Sequence, residues 1–292
     1  MRIGITDSGV GGLSVCAEVE AGLRRLPRQH DVDVMYLNAA LRDDFSYNAM
    51  ATRGEKLEAF SCFLRNVRKK YRPDLLFIAC NTLSILFEDP YFDPLRAIPI
   101  EGIVDTGTRE LTRAFEAGRD ASVIVFATPT TVEEGAYARR LGRYGVPQER
   151  FVQQACPGLP DAISNDFSGA QARSLLKTFI PDALARFSSP PDKVLAFLGC
   201  THYGYQSSLF EQLIAESVDE VRVLDPNRAA ADRILDSLAA APEGGGARFR
   251  FISPYSVPKK PQRSLAHYLG RKAPATVAAL QQCIQDPELY AP

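Results

Sequence analysis

The sequence has almost no net charge: 34 Lys and Arg set against 35 Asp and Glu leave −1 at pH 7. Without a field of one sign, neither nucleic acid nor an anionic membrane is favoured as a partner, and a small molecule is expected instead. Long hydrophobic runs are missing as well. Nothing approaches the ~20 apolar residues of a membrane span, and Met1-Arg2-Ile3-Gly4-Ile5 meets Asp7 too soon for a secretory leader. A cytoplasmic protein is expected. The cysteines, Cys16, Cys62, Cys80, Cys156, Cys200 and Cys283, include no Cys-x-x-Cys pair, and a chain of this size needs no disulfide staples, so free thiols are expected. Beside them stand only His30, His202 and His267, too few ligands at suitable spacing for a zinc site. No metal is expected. What is present is an ordinary folded composition, 46% hydrophobic and 24% charged over 292 residues, which excludes disorder and leaves room for two compact domains.

Short β-branched runs alternate with helix-period stretches. Arg2 to Thr6 reads as a strand, and Leu13, Cys16, Val19, Leu23 and Leu26 follow on one helical face. Val32 to Leu37 is a second strand, followed by a helix whose apolar side carries Leu57, Phe60, Leu64, Val67 and Tyr71. Further strands are expected at Leu75 to Ala79, Ile98 to Glu101, Val123 to Ala127, Phe151 to Gln154, Val194 to Leu198, Arg222 to Leu224 and Phe249 to Ile252. Such alternation predicts an α/β fold of mainly parallel sheets flanked by helices. A loose internal repeat accompanies it: Leu76-Phe77-Ile78-Ala79-Cys80-Asn81-Thr82 matches Ala196-Phe197-Leu198-Gly199-Cys200-Thr201-His202 in pattern. Two similar halves, each offering one thiol, would explain the match.

In open parallel sheets, ligands bind at the carboxyl ends of strands, beside the free N–H groups of the following helix. Cys80 and Cys200 both fall there, and the positive helix end is expected to lower their pKa values. A lone cysteine after an apolar strand is as often a small buried residue; the matched pair is what points to chemistry. Cys16, Cys62 and Cys283 read as packing residues, and Cys156 as part of a structural turn. Asp7-Ser8-Gly9-Val10-Gly11-Gly12 has neither the spacing of a dinucleotide loop nor a Walker lysine, but Asp7 could receive a proton or hold an ammonium group. His202, two residues past Cys200, could orient that thiol or protonate it.

Together Asp7-Ser8-Gly9-Val10-Gly11-Gly12-Leu13-Ser14, Cys80-Asn81-Thr82 and Leu198-Gly199-Cys200-Thr201-His202-Tyr203 resemble the signature segments of the glutamate racemases, within the aspartate/glutamate racemase superfamily. Weaker matches at Ala127 to Val132, Ala155-Cys156-Pro157, Asp225-Pro226 and Tyr268-Leu269-Gly270 extend the resemblance over nearly the whole chain. It implies two pseudosymmetric α/β domains with the active site between them, one formed by residues 1–97 plus 208–292 and the other by 98–207. It also implies an isomerase that racemises an amino acid without pyridoxal phosphate or any other cofactor. Cys80 and Cys200 would be the bases on opposite faces, assisted by Asp7 and His202 respectively. Ser8, Asn81, Thr82, Thr128, Thr131 and Thr201 would hold the substrate's carboxylates and ammonium. The implied role is D-glutamate supply for peptidoglycan, and the resemblance leaves room for a homodimer.

The sequence departs from the family at two places. The family's Pro-Tyr-Gly contact loop is set against Asp44-Phe45-Ser46, and its glutamate after Ala-Cys-Pro against Ser164, with Asp161 and Asp166 nearby. Loss of the tyrosine hydroxyl and a changed backbone path predict weaker handling of glutamate and leave the substrate's side chain open. Two other readings remain: a Cys-His hydrolase or lyase of the same superfamily, using one thiol as nucleophile, and an amino-acid-binding regulatory protein without turnover. Retention of both thiols speaks against each.

Overall fold

The computed structural model describes residues 1–26, 30–43, 45–96, 99–238 and 243–291. Its first strand, β1 (Arg2–Asp7), is buried on both faces from Ile3 onward, as a central strand of a parallel sheet must be. The chain continues through α1 (Leu13–Leu23), β2 (Val32–Asn38), α2 (Arg53–Lys70), β3 (Leu75–Ile78), α3 (Asn81–Leu86), β4 (Ile100–Gly102) and α4 (Ile103–Ala117). A second run holds β5 (Ser122–Ala127), α5 (Pro129–Glu133), α6 (Ala136–Arg143), β6 (Phe151–Ala155), α7 (Leu159–Asn165), α8 (Ala170–Leu184), β7 (Lys193–Gly199), α9 (Ser207–Ile214) and β8 (Glu220–Leu224). The chain closes with α10 (Pro226–Ser237), β9 (Ala247–Ser253), α11 (Lys259–Leu269), α12 (Pro274–Gln281) and β10 (Ile284–Gln285). Among the described residues no helix is long and apolar enough to cross a membrane.

The strands form two parallel sheets, ordered β10-β9-β2-β1-β3-β4 and β6-β5-β7-β8. The boundaries expected at residues 97/98 and 207/208 cut across this order. Leu76 pairs with Ile100, so β4 completes the first sheet; Val194 pairs with Val221, so β8 completes the second. The hydrophobic pattern of a strand marks it as a strand but carries no sign of which neighbour it will pair with. Of the expected strand Ile98 to Glu101, Ile98 lies outside the described residues.

Register decides what emerges at the carboxyl edges. Asp7 lies beside Asn38, while the N–H of Ala79 bonds the carbonyl of Thr6, which brings Cys80 out next to Asp7. In the second sheet Ala127 pairs with both Ala155 and Gly199, so Thr128, Cys156 and Cys200 leave the sheet side by side. One buried cluster includes Ile3 and Phe77 from the first sheet together with Val125 and Phe197 from the second, so the two units share a core. Polar contacts clamp the rim: Arg53 bridges Asp89 at 2.6 Å and Glu134 at 2.8 Å, and the buried Lys56 ammonium donates to Thr130 Oγ1 at 2.9 Å. The helix that carries both cations begins with a capping box, Thr52 and Glu55 each accepting the other's backbone N–H.

Candidate active site

The carboxyl edges of the two sheets face one another across a cavity of about 600 Å³. From the first sheet, Asp7, Ser8, Cys80, Asn81 and Thr82 line it; from the second, Thr128, Cys200, Thr201 and His202. Thr131 is not among its walls. It is fully buried, with its hydroxyl 2.9 Å from that of Thr82 and 3.1 Å from that of Thr128, so it holds two wall residues without reaching the cavity. Thr128 also caps α5, accepting the N–H of Thr131.

Cys80 is the extended residue just before α3, and its Sγ lies 3.1 Å from Ser8 Oγ. Cys200 follows β7, with Sγ 3.7 Å from His202 Nδ1. Only 7% and 8% of the two residues is exposed, which overturns the expectation of lowered thiol pKa values. Burial pushes Cys80 up to about 12, with the nearby Asp7 charge adding to it, against the pull of the Ser8 hydroxyl and the N–H groups of Leu83 and Ser8. Burial likewise pushes Cys200 well up, and the charges of Asp7 and Cys80 both reach it. Both shifts favour the neutral thiol near pH 7.

Asp7 makes its closest side-chain contact across the cavity: Thr201 Oγ1 donates to its Oδ2 at 2.9 Å. Burial raises its carboxyl to about 7, even though the Thr201 hydroxyl and the N–H groups of Gly9, Gly12 and Ser8 favour the ionised form. His202 is partly exposed in the wall, and desolvation lowers it to about 4, so its ring is neutral near pH 7. The turn after β1 is glycine-rich because of this crowding. A Cβ at Gly11 would stand 2.3 Å from His202 Nδ1 and 2.4 Å from Thr201 Oγ1. Gly11→Ala should therefore displace both side chains and cost about 1–3 kcal/mol of stability, checked by thermal unfolding; an unchanged Tm would mean that the turn has room to give.

Several wall residues escaped sequence reasoning. Lys260, near the start of α11, lines both this cavity and an adjoining outer groove, and pairs with no acidic side chain among the described residues. Ser46 and Asn48 line the cavity, while Tyr47 between them is buried, its hydroxyl 2.9 Å from that of Tyr290. Shifting the family comparison by two residues would set Ser46-Tyr47-Asn48 against Pro-Tyr-Gly and retain the tyrosine, a register that an ungapped comparison hides; Asp44 lies outside the described residues. Ser164 is buried in the wall and Asp161 borders it, whereas Asp166 caps the next turn through Ser168. Cys156 is fully buried with its thiol toward the Gln154 carbonyl, and it too borders the cavity. Among the described residues no cluster of His, Cys, Asp or Glu is arranged for a metal ion.

Comparison with known proteins agrees with this architecture. The profile of the Asp/Glu/hydantoin racemase family matches residues 3–234. A glutamate racemase of Syntrophus aciditrophicus is 29% identical over 277 residues, covering 93% of this chain and 94% of the relative. A crystal structure of a glutamate racemase from Bacillus anthracis superposes with TM-score 0.71 at 22% identity, over 92% of this chain and 94% of that one. Another, from Francisella tularensis in complex with D-glutamate, superposes with TM-score 0.69 at 22% identity over 92% and 93%. These matches place the chain among the racemase-type isomerases. The chain belongs to the Asp/Glu/hydantoin racemase family.

Proposed function

We propose that the protein racemises glutamate, with Cys80 and Cys200 exchanging the α-proton on opposite faces of the substrate. The observation that carries this reading is the pair of thiols supplied by different sheets to the wall of one cavity. Racemisation removes a proton from one face of Cα and returns one to the other, so it needs a base and an acid flanking a planar carbanion. A substrate ammonium entering beside the thiols favours a thiolate, and the proton that leaves the thiol passes to the neighbouring Asp7 carboxylate. That thiolate takes the α-proton and becomes a thiol, while the opposite thiol delivers its proton and becomes the thiolate. The two states differ only in which sulfur is charged, which suits a reversible reaction. Charge developing on the substrate carboxylate meets donors from Asn81 and the threonine hydroxyls, held in place before the reaction begins. In a bacterium such an enzyme would supply D-glutamate for peptidoglycan precursors.

Heavy water provides the direct test. Both enantiomers of glutamate should exchange their α-proton in the presence of the protein; if no amino acid tried does so, the reading falls and a binding protein takes its place. The exchange should also persist after pyridoxal phosphate and metals are stripped, because the proposed steps use only side chains. Restoration of a lost activity by either additive would refute that. For specificity, kcat/KM for glutamate should exceed that for aspartate, because the longer side chain extends its second carboxylate further toward polar wall residues such as Lys260. Lys260→Ala should raise KM for glutamate roughly tenfold through a lost charge-assisted contact. An unchanged KM would remove Lys260 from the substrate's surroundings.

A further inference from the structure

The segment Asp225-Pro226-Asn227 takes no part in the chemistry proposed above, yet it underlies the second thiol. Phe197 pairs with Leu224, so β8 ends beside β7 and the start of α10 lies against the turn that follows Cys200. The approach is close: a Cβ at Gly204 would stand 2.3 Å from Asp225 Oδ2 and 2.7 Å from Asn227 Nδ2. Asp225 caps the helix, its Oδ1 accepting the N–H of Asn227 at 3.0 Å. Asn227 itself is buried, and its Nδ2 donates to the carbonyl of Thr201 at 3.0 Å.

That bond has one sense. A carbonyl only accepts, so a flipped amide would set Oδ1 against the Thr201 oxygen. In the orientation observed, Oδ1 is buried without a partner among the described residues, so the amide carries the cost of one unmade bond while its donor stays on Thr201. Ser14 Oγ is the other side-chain donor near that carbonyl among the described residues, at 3.5 Å, and it bonds the Gly11 carbonyl more closely, at 2.8 Å. Thr201 is thus tied at two ends, its carbonyl to α10 and its hydroxyl to Asp7 Oδ2 in the first sheet at 2.9 Å. With the carbonyl held, the peptide between Thr201 and His202 resists rotation, and the hydroxyl stays aimed at the carboxylate.

We propose that Asn227 is a positioning residue: by holding the Thr201 carbonyl it keeps the Thr201 hydroxyl on Asp7 and the turn that carries Cys200 at the cavity wall. What Asp7 does for the reaction rests on the racemase reading; the contact itself does not, and it can be tested without turnover. Absence of α-proton exchange would sink the racemase reading without touching this result.

The Asp7 carboxyl, followed by ¹³C NMR in the ligand-free protein, reports whether the hydroxyl is in place. The Thr201 hydroxyl favours the ionised carboxylate, so loss of that bond should move the midpoint upward from about 7. Burial favours the neutral forms of the other titratable groups around Asp7, which are Cys16, Tyr36, Cys80, Cys200 and Tyr205, and of the nearby His202. Asp225, raised to about 6 by burial, is followed by its own resonance. Asn227→Leu, which keeps the bulk and lacks the donor, should raise the Asp7 midpoint by about one pH unit, and Thr201→Val should raise it at least as far. The double variant should titrate as Thr201→Val does, because the amide acts through the hydroxyl. An unchanged midpoint in either single variant, or full additivity of the two shifts, would overturn the proposal. Should Asn227→Leu not fold, the wild-type protein still decides: the side-chain NH₂ resonances of Asn227 should titrate with the Asp7 midpoint, and resonances that stay fixed through it would overturn the proposal.

Discussion

Cys80→Ser and Cys200→Ser should each lower racemisation of glutamate by about 10³-fold or more in both directions, within the range general acid–base groups contribute. An alcohol is too weak an acid, and its alkoxide too scarce, to replace a thiol at this position. The loss should have a signature beyond its size. With one thiol left, a single face of Cα keeps a base, so each variant should exchange the α-proton of one enantiomer with heavy water and spare the other. The two variants should choose opposite enantiomers. Near wild-type kcat in either would end the two-thiol mechanism, and exchange of both enantiomers by a single variant would show that a different group serves the second face.

Asp7→Asn should have the next largest effect, a fall in kcat/KM on the order of 10²–10⁴. The buried carboxylate is the negative group beside both thiols, bound to Thr201 and placed to meet a substrate ammonium. With its pKa raised to about 7, kcat/KM should rise as pH passes upward through 7, and that limb should vanish in the variant. Stability should move the opposite way. Between the ordinary value of 3.8 and the folded value of about 7, the folded protein keeps a proton that the unfolded chain has released. The stabilisation tied to that proton is complete below the lower value and is lost as pH rises through the upper one, on the order of 4 kcal/mol in all. Chemical denaturation at pH 4 and pH 8 measures it. A pH-independent difference between wild type and Asp7→Asn would mean that Asp7 is ionised throughout.

Much of this site was legible because parallel sheets put chemistry at strand ends, and a strand end can be read from an apolar run meeting polar residues. Asp7, Cys80 and Cys200 were found in that way and Thr128 through the family resemblance, and the structure brings them to one cavity. What depended on depth was not legible. The thiol pKa values follow from burial, which a helix start does not disclose. Thr131 has the same residue type and spacing as a wall residue but sits behind Thr82 and Thr128. Tyr137 occupies a helix face where an aromatic reads as packing, and nothing local shows that its hydroxyl reaches across to Asn81. The sheet boundaries were displaced because β4 and β8 are short or half-exposed strands whose partners are set by tertiary packing. The two residues of β10 are too few to show any period.

The strand order also sets a schedule for synthesis. The sheet holding β5 to β8 is drawn from one continuous stretch of chain and can assemble once residue 224 has emerged from the ribosome. The other cannot: Val32 pairs with Ala247, so β2 keeps an open hydrogen-bonding edge until β9 has been made, more than 200 residues later. An unpaired edge on an apolar strand is a template for association with other nascent chains. The half of the site that contributes Asp7 and Cys80 is thus begun first and finished last. Premature termination between residues 224 and 247 leaves a chain whose later-made sheet is whole while its earlier-made one is exposed.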